Sequence, residues 1–208
     1  MYSSFPVFML ATINTCMVIA GIDYSLCGPA VCLYNNPDDS LPWSHEYCSF
    51  YFLTENKKQS EIRTMNIYGE RLSDWNSDQE RYESIADWAI DIVMGCSHVA
   101  LEGYAYSASG RVFHIAENTG ILKYKLYHLG IPLTVIPPTE VKKFAAGKGN
   151  ADKTQMYDAF VWETGMHLKA VLAPNRKEVA SPVSDIVDSY YICKRMHETL
   201  RATSPDGD

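Results

Sequence analysis

Residues 17–23, Met-Val-Ile-Ala-Gly-Ile-Asp, form an uninterrupted apolar run that ends in an acid. A short run of this kind, bounded by turn residues, is typical of a strand that is buried on both faces. We therefore predict a strand over residues 18–22. Similar apolar or aromatic runs predict further strands at residues 30–33, 47–54, 98–102 and 133–136.

The stretch 57–68 is ambiguous, because its pattern fits either another strand or an irregular connection. Helical patterns are clearer and alternate with the later strands. Ser77 followed by Glu80 is typical of a capping box, and the helix behind it is predicted to end at Gly95. Further helices are predicted after Thr139 as a cap, and over residues 152–162 and 183 to about 197.

A helix is also predicted over residues 112–129, where apolar side chains recur at alternating four- and three-residue steps and form a narrow seam. The seam consists of Ile115, Thr119, Leu122, Leu126 and Leu129. It suits packing on the sheet or contact with a second copy of the chain, and both readings stay open here. The order of strands and helices predicts an α/β fold, with a mixed central sheet covered by helices on both faces.

The composition describes one globular domain. The chain has 208 residues, of which 47% are hydrophobic and 21% are charged, so it can bury a core without disulfides or metal ions. The formal net charge of −7 excludes a generally basic surface for nucleic acid. Contact with a polyanion would have to come from local basic patches or from metal ions held by acids.

The six cysteines are dispersed and form no C-x-x-C pair, which favours reduced thiols in a reducing, cytoplasmic compartment. His45 and Cys48 are too isolated to predict a zinc site. Residues 1–22 carry no charge, yet Thr12, Asn14 and Thr15 interrupt them, so no membrane span is predicted. We expect residues 1–16 to be an appendage outside the core domain of residues 17–200, and residues 201–208 to be a flexible tail.

Four acids carry the candidate chemistry. Asp23 and Glu102 each follow a predicted strand, and Asp185 and Asp188 share one face of the last helix. Singly, each is typical of a cap or a solvated surface. Together, and set among apolar neighbours without an adjacent arginine, they predict a partly buried cluster that needs a cation. Oxygen ligands suit Mg²⁺ or Mn²⁺ better than zinc.

Four motifs of the chain resemble those of one protein family. Gly21-Ile22-Asp23-Tyr24-Ser25, Ala100-Leu101-Glu102 and Asp185-Ile186-Val187-Asp188-Ser189 resemble the three acidic motifs of RuvC-type Holliday junction resolvases, which have an RNase H-like fold. Val141-Lys142-Lys143, with the stretch 147–155 that follows, resembles that family's basic segment. The similarity runs in order from about residue 17 to residue 197, and the divergent form is more similar to viral or phage enzymes than to typical bacterial ones.

The resemblance implies a Mg²⁺-dependent endonuclease that nicks four-way DNA junctions as a homodimer and leaves 5′-phosphate and 3′-hydroxyl ends. It implies that Asp23, Glu102, Asp185 and Asp188 hold two metal ions about 4 Å apart, with Mn²⁺ as a possible substitute. The two lysines of the family's basic segment correspond to Lys142 and Lys153, and Lys153 is expected to stabilise the transition state.

Contacts to DNA are expected from basic and aromatic residues. Lys142, Lys143, Lys148 and Lys153 form a local basic cluster, although Lys143 and Lys148 also suit a solvated helix face. Gly147 and Gly149 are expected to let the backbone approach a phosphate. Family members place an aromatic wedge where this chain has Ala105, so Tyr104 and Tyr106 beside it are the candidates, and Arg111 is a further phosphate contact.

Two segments depart from the compact family pattern, namely residues 35–78 and 165–180. Because such segments can change the choice of substrate, two alternatives stay open. One is a broader nuclease of the same fold that cuts flaps, other branched DNA or hybrids. The other is a non-catalytic module that binds junctions.

Overall fold

The structure is a computed structural model that describes residues 17–38, 40–103 and 112–203. The predicted appendage 1–16 therefore lies outside the described residues. Within these ranges the strands are β1 (Val18–Asp23), β2 (Ala30–Asn35), β3 (Cys48–Thr54), β4 (Arg63–Thr64), β5 (Ile67–Arg71), β6 (His98–Glu102) and β7 (Leu133–Ile136). They form one sheet in the spatial order β4-β5-β3-β2-β1-β6-β7.

The sheet is mixed, and β1 lies near its centre. β1 pairs antiparallel with β2 and parallel with β6, and β6 pairs parallel with β7. The register of β1 and β6 sets Ile22 opposite Leu101. The next residue on each strand is an acid, so Asp23 and Glu102 end two neighbouring strands at the same edge of the sheet.

Helices cover both faces, as the sequence predicts. They are α1 (Lys57–Ser60), α2 (Asp78–Val93), α3 (Val112–His128), α4 (Pro138–Ala146), α5 (Lys153–Thr164), α6 (Leu168–Leu172) and α7 (Val183–Thr203). One core lies between the sheet and α2 and α3, and the other lies between the sheet and α4, α5, α6 and α7. No helix in the described ranges is long and apolar enough to cross a membrane.

The alternation of side chains along the central strands determines on which face of the sheet the acids lie. Ile19 of β1 and Ala100 of β6 belong to the core on the α7 side. Ala20 and Ile22, with Val99 and Leu101, belong to the core on the α2–α3 side. Successive side chains of a strand point to opposite faces. Asp23 and Glu102 therefore both lie on the α7 side.

Gly21 lets β1 lie directly against α7. A Cβ atom at this position would stand 2.3 Å from the backbone nitrogen of Cys193 and 2.5 Å from the carbonyl oxygen of Ser189. Both neighbours are helix backbone, which cannot move aside as a flexible side chain can. The glycine of the Gly-Ile-Asp motif thus brings Asp23 within reach of the helix that carries the other two acids.

The apolar seam of α3 packs inside the chain. Leu122 and Leu126 are completely buried and share a core with Ile85, Ala86 and Ala89 of α2. Of the two readings that the sequence leaves open, the intramolecular one is correct. Leu122 and Leu126 are therefore not accessible to a second copy, whereas Leu129 at the end of the seam is 49% exposed.

Several boundaries differ from the sequence predictions. The ambiguous stretch 57–68 contains α1, β4 and the start of β5, and a tight turn joins the last two through Met65 and Asn66 at φ values of 51° and 58°. No glycine marks this turn, so its left-handed backbone gives little sequence signal. The divergent stretch 165–180 contains α6, whose Leu168 and Leu172 are buried.

Two helix ends were also predicted incorrectly. Thr139 does not cap α4; Pro137 is the N-cap and Pro138 is the first helical residue, where a missing N–H group costs no hydrogen bond. Helix α7 continues to Thr203, past the predicted end near residue 197 and into the predicted tail. By contrast, Ser77 caps α2 as predicted, and the helix predicted over residues 152–162 is α5, with Asp152 as its N-cap.

Candidate active site

Four carboxylates approach one another where β1 and β6 end and α7 begins. Asp23 and Glu102 are the last residues of their strands, and Asp185 and Asp188 lie in the first two turns of α7. All four are half-buried. The structure thus brings together the four acids that the sequence singles out.

The four carboxylates affect one another's pKa values. Burial raises the pKa of Asp23 well above its ordinary value, and the charges of Asp188, Asp185 and Glu102 raise it further. Burial raises the pKa of Asp188 to about 7, with additional contributions from Glu102 and Asp185. A set of carboxylates that resists ionisation in this way lacks sufficient positive charge around it.

Two lysines supply part of that positive charge. Lys142 of α4 and Lys153 of α5 line a cleft of about 330 Å³ together with Glu102, Ser184 and Asp188. The Lys153 ammonium acts to lower the pKa of Asp23, and Lys142 acts to lower that of Glu102. Because burial outweighs both effects, the pKa of each carboxyl group stays raised.

The start of α5 is fixed by a capping box. The Asp152 side chain accepts a hydrogen bond from the Gln155 backbone N–H at 2.9 Å, and the Gln155 side chain accepts one from the Asp152 backbone N–H at 3.1 Å. Lys153 is the first helical residue behind this cap. The reciprocal bonds hold its backbone in place beside the cleft.

Both glycines of the basic segment have intramolecular roles. Gly147 has a φ of 77° and ends α4 in a left-handed conformation. A Cβ atom on Gly149 would stand 3.1 Å from the carbonyl oxygen of Thr139. Helix termination and close backbone packing therefore account for these glycines without the phosphate approach that the sequence suggests.

The other predicted DNA contacts divide into two that the structure describes and three that it does not. Lys143 and Lys148 are exposed and are absent from the residues that line it. Tyr104, Tyr106 and Arg111 lie outside the described residues, so their predicted contacts stay predictions. Among the predicted basic residues within the described ranges, Lys142 and Lys153 are the pair that the fold places beside the acids.

Sequence analysis missed three residues around Asp185. The Ser184 hydroxyl donates a hydrogen bond to Asp185 Oδ1 at 2.8 Å, and Ser181 acts to lower the pKa of the same carboxyl group. A Cβ atom on Gly28 would stand 2.7 Å from Ser181 Oγ and 3.1 Å from Asp185 Oδ2. The one available signal was the position of Ser184 directly before an acid; Gly28 gave none.

The donor set fits a hard divalent cation. All four candidate ligands are carboxylates, and burial raises the pKa of each, so a bound cation would favour their ionised forms. The absent side chain of Gly28 lets Ser181 and Asp185 pack closely against the backbone there. Among the described residues, no three His, Cys, Asp or Glu side chains stand close enough together to hold one ion. The carboxylates thus share a region without forming a complete coordination shell.

Comparisons with known proteins identify the fold. No protein-family model and no curated protein sequence matches the chain. Thermus thermophilus RuvC in complex with Holliday junction substrate is similar at 14% identity, with 90% of this chain and 97% of that chain covered and a TM-score of 0.58. A second structure of Thermus thermophilus RuvC is similar at 17% identity, covering 90% and 98%, with a TM-score of 0.55.

The yeast mitochondrial Holliday junction resolvase Ydc2 is also similar, at 15% identity, with 92% of this chain and 83% of that chain covered and a TM-score of 0.50. The similarity extends over most of each chain, so it concerns the whole domain. The chain therefore has the RuvC-type resolvase fold of the RNase H-like class, as the motif resemblance predicts.

Proposed function

We propose that this chain is a metal-dependent endonuclease that resolves four-way DNA junctions by hydrolysing phosphodiester bonds symmetrically, as a homodimer. One observation carries the proposal: Glu102, Asp188, Lys142 and Lys153 line a single cleft of a RuvC-type fold, and the charges of Asp188, Asp185 and Glu102 act together to raise the pKa of Asp23. A neighbour of the same fold, Thermus thermophilus RuvC, has been solved with a Holliday junction substrate.

Asp23, Glu102, Asp185 and Asp188 would hold two Mg²⁺ ions, or Mn²⁺ in their place. When bound, the ions offset charge on the acids and the phosphate and activate water for attack on phosphorus. Their charge also counters the repulsion that raises the pKa of Asp23 and Asp188. Carboxylates repel the negatively charged phosphate, so other side chains must position it.

The lysines take that role. Lys142 would hold a phosphate oxygen of the DNA backbone beside Glu102, whose pKa it acts to lower. Lys153 would stabilise the charge that develops on the phosphate as water adds and the bond to the 3′ oxygen breaks. Cleavage of that bond leaves a 3′-hydroxyl and a 5′-phosphate, which a ligase can rejoin.

Two symmetric cuts require two active sites related by a two-fold axis. Leu122 and Leu126 of the seam are buried, but the outer side of α3, the residue that follows it and the neighbouring edge strand β7 present exposed apolar groups. These are Phe113, Tyr124, Tyr127, Leu129 and Val135, which are 45–79% exposed. We propose this surface as the contact with a second copy, since apolar area of this kind gains from being covered.

The oligomeric state tests this contact. Light scattering at micromolar concentration should show a dimer for the wild type and a monomer for Tyr127→Glu. Trp162→Glu is the matched control, because Trp162 is also exposed, at 89%, but lies on α5. A monomeric wild type, or equal disruption by both variants, would contradict the proposed contact.

A reducing, cytoplasmic compartment belongs to the same proposal. The described cysteines are free, and four of them are buried, namely Cys32, Cys48, Cys96 and Cys193. Thiols of this kind persist where the compartment keeps them reduced. Thiol titration of protein isolated under alkylating conditions would test this assignment.

The central experiment incubates labelled four-way junctions with the protein, with Mg²⁺ or with EDTA. We expect paired symmetric nicks in Mg²⁺ and none in EDTA. Asp23→Asn should bind the junction but lower the cleavage rate by more than about 100-fold, because even outer partners of metal ligands contribute about 10- to 100-fold. The control is Asp158→Asn, an exposed acid on α5.

The other readings give different results in the same assay. Faster cutting of flaps or hybrids than of junctions would favour a broader nuclease. If wild type and Asp23→Asn bind junctions equally and neither cuts, the chain is a binding module. Either result would overturn junction resolution as the function.

A further inference from the structure

We propose that Ser184 is a positioning residue that holds Asp185 and Lys153 in fixed relative positions for metal binding and cleavage. The inference rests on the proposed function and assigns a new residue to it. Ser184 is outside the acidic and basic motifs that the sequence singles out. The structure places it between Asp185 of an acidic motif and Lys153 of the basic segment.

The hydrogen bonds of Ser184 have a defined direction. Its hydroxyl donates to Asp185 Oδ1 at 2.8 Å, and Lys153 Nζ donates to the Ser184 oxygen at 3.3 Å. A hydroxyl has one proton to donate, and a lysine ammonium can only donate. The proton of Ser184 is therefore committed to the carboxylate, and its lone pair faces the ammonium. The two bonds form a single ordered chain from Lys153 to Asp185.

Burial gives this chain its rigidity. Ser184 is only 3% exposed, so water cannot readily replace either partner. Its backbone N–H bonds the carbonyl oxygen of Ala180 at 3.2 Å, which fixes the residue in the first turn of α7. Val183, Ile186 and Val187 around it are buried as well. Ser184 is thus held in one position, and the longer Lys153 side chain extends to reach its hydroxyl oxygen.

On the opposite side of Asp185, the absent side chain of Gly28 lets Ser181 and Asp185 Oδ2 lie close to the backbone, and Ser181 acts to lower the pKa of Asp185. The hydrogen bond from Ser184 thus orients the carboxylate before any ion arrives, as outer partners of metal ligands commonly do. Without the Ser184 hydroxyl, Lys153 would have no acceptor there. It would be free to pair directly with Asp185 and to compete with a cation for that carboxylate.

Metal titration of the full-length, metal-free chain tests the inference without relying on cleavage. Free Mn²⁺ is measured by electron paramagnetic resonance for the wild type, Ser184→Ala and Ser189→Ala. Ser189 is the matched control because it is also a buried serine of α7, and its hydroxyl bonds only the carbonyl oxygen of Ile186 at 2.8 Å. We expect Ser184→Ala to weaken Mn²⁺ binding about 10-fold and Ser189→Ala to leave it nearly unchanged.

Junction assays supply a second measurement. Ser184→Ala should lower kcat by a similar factor and leave junction affinity unchanged, because Lys142 remains. Unchanged Mn²⁺ affinity in Ser184→Ala, or equal loss in Ser189→Ala, would overturn the inference. If Ser184→Ala does not fold, Ser184→Cys keeps the volume with a weaker hydrogen-bonding group, and wild-type Mn²⁺ affinity in that variant would overturn it as well.

The two proposals fail in distinguishable ways. A wild type that neither binds Mn²⁺ nor cuts junctions refutes the proposed function, and the role of Ser184 with it. A wild type that does both, alongside a Ser184→Ala variant of equal metal affinity, refutes only the role of Ser184.

Discussion

The two faces of the sheet differ in what they bury. Between the sheet and α2 and α3 the core is mainly aliphatic, with Ile85, Leu122 and Leu126 completely buried. Both sides bury polar groups, such as Asn118 on the α2–α3 side, but the α7 side in addition holds partly buried carboxylates. Tyr190 accepts a hydrogen bond from Trp43 and donates one to Glu163, and the four acids lie at the edge of the same face.

The α2–α3 side therefore contributes mainly to the stability of the fold, and the α7 side carries the candidate active site. Burial of apolar groups on the α2–α3 side stabilises the fold without any ligand. On the α7 side, ionised carboxylates with raised pKa values lower the free energy of unfolding of the metal-free chain. Apolar packing on the opposite side offsets this loss. We therefore expect changes on the two faces to affect different measurements.

The largest expected effect concerns activity and belongs to the α7 side. Lys153→Met should lower the cleavage rate by about 100- to 1,000-fold, as loss of a group that stabilises the transition state commonly does. Lys148→Met, which changes an exposed lysine outside the cleft, is the control. Single-turnover cleavage of a labelled junction measures both. Equal rates for the two variants would remove Lys153 from the active site.

The next effect concerns stability and belongs to the α2–α3 side. Leu122→Ala should lower the free energy of unfolding by about 2–5 kcal/mol, because it opens a cavity in a fully packed core. Met94→Ala, at a position that is 62% exposed, should change it by less than about 0.5 kcal/mol. Urea denaturation measures both. Loss of Mn²⁺ affinity in folded Leu122→Ala would show that the faces are coupled.

Gly21→Ala tests the contact between the sheet and α7. The added methyl group would meet helix backbone at 2.3 Å, so we expect a loss of about 1–3 kcal/mol, together with weaker metal binding as Asp23 moves away. The control is Gly120→Ala in α3, where a Cβ atom meets nothing within 4 Å. It should stabilise the chain by about 0.5–1 kcal/mol. Thermal unfolding that ranks the two variants in the opposite order would contradict this account.

The smallest effect is a dependence of stability on pH. The pKa of Asp188 is about 7 in the folded metal-free chain, against an ordinary value of 3.8. Between these values the folded state binds more protons than the unfolded state, so stability falls as the pH rises from about 4 to about 7. Since the side chain is half-buried and screened by water, we expect a loss of about 1 kcal/mol, or about 2–4 °C in Tm.

Calorimetry in EDTA measures this dependence. Asp188→Asn should flatten the profile, because an amide does not titrate, and Asp158→Asn should leave it as in the wild type. Saturating Mg²⁺ should reverse the loss near pH 7, since a cation favours the ionised carboxylates. A metal-free chain that becomes more stable over this pH range would contradict the sign.

How much the sequence predicts depends on the range of the interaction involved. The strand ending at Asp23, the cap at Ser77 and the helix near residues 152–162 are local patterns, and the structure confirms them. The turn at Met65 and Asn66 lacks a glycine and was missed. The seam of α3 was recognised as apolar, but the sequence left its partner undecided, because periodicity identifies a face and not what covers it.

The sequence by itself determined the donor chemistry: four acids in motif order, lysines in a basic segment, and apolar strands that end at two of the acids. Only the tertiary structure decided that Asp23 and Glu102 end neighbouring strands, that Gly21 allows α7 to lie against them, and that Ser184 joins Lys153 to Asp185. The physical reason is that residue type and periodicity are local properties, whereas a hydrogen bond between side chains 31 residues apart depends on how the helices pack.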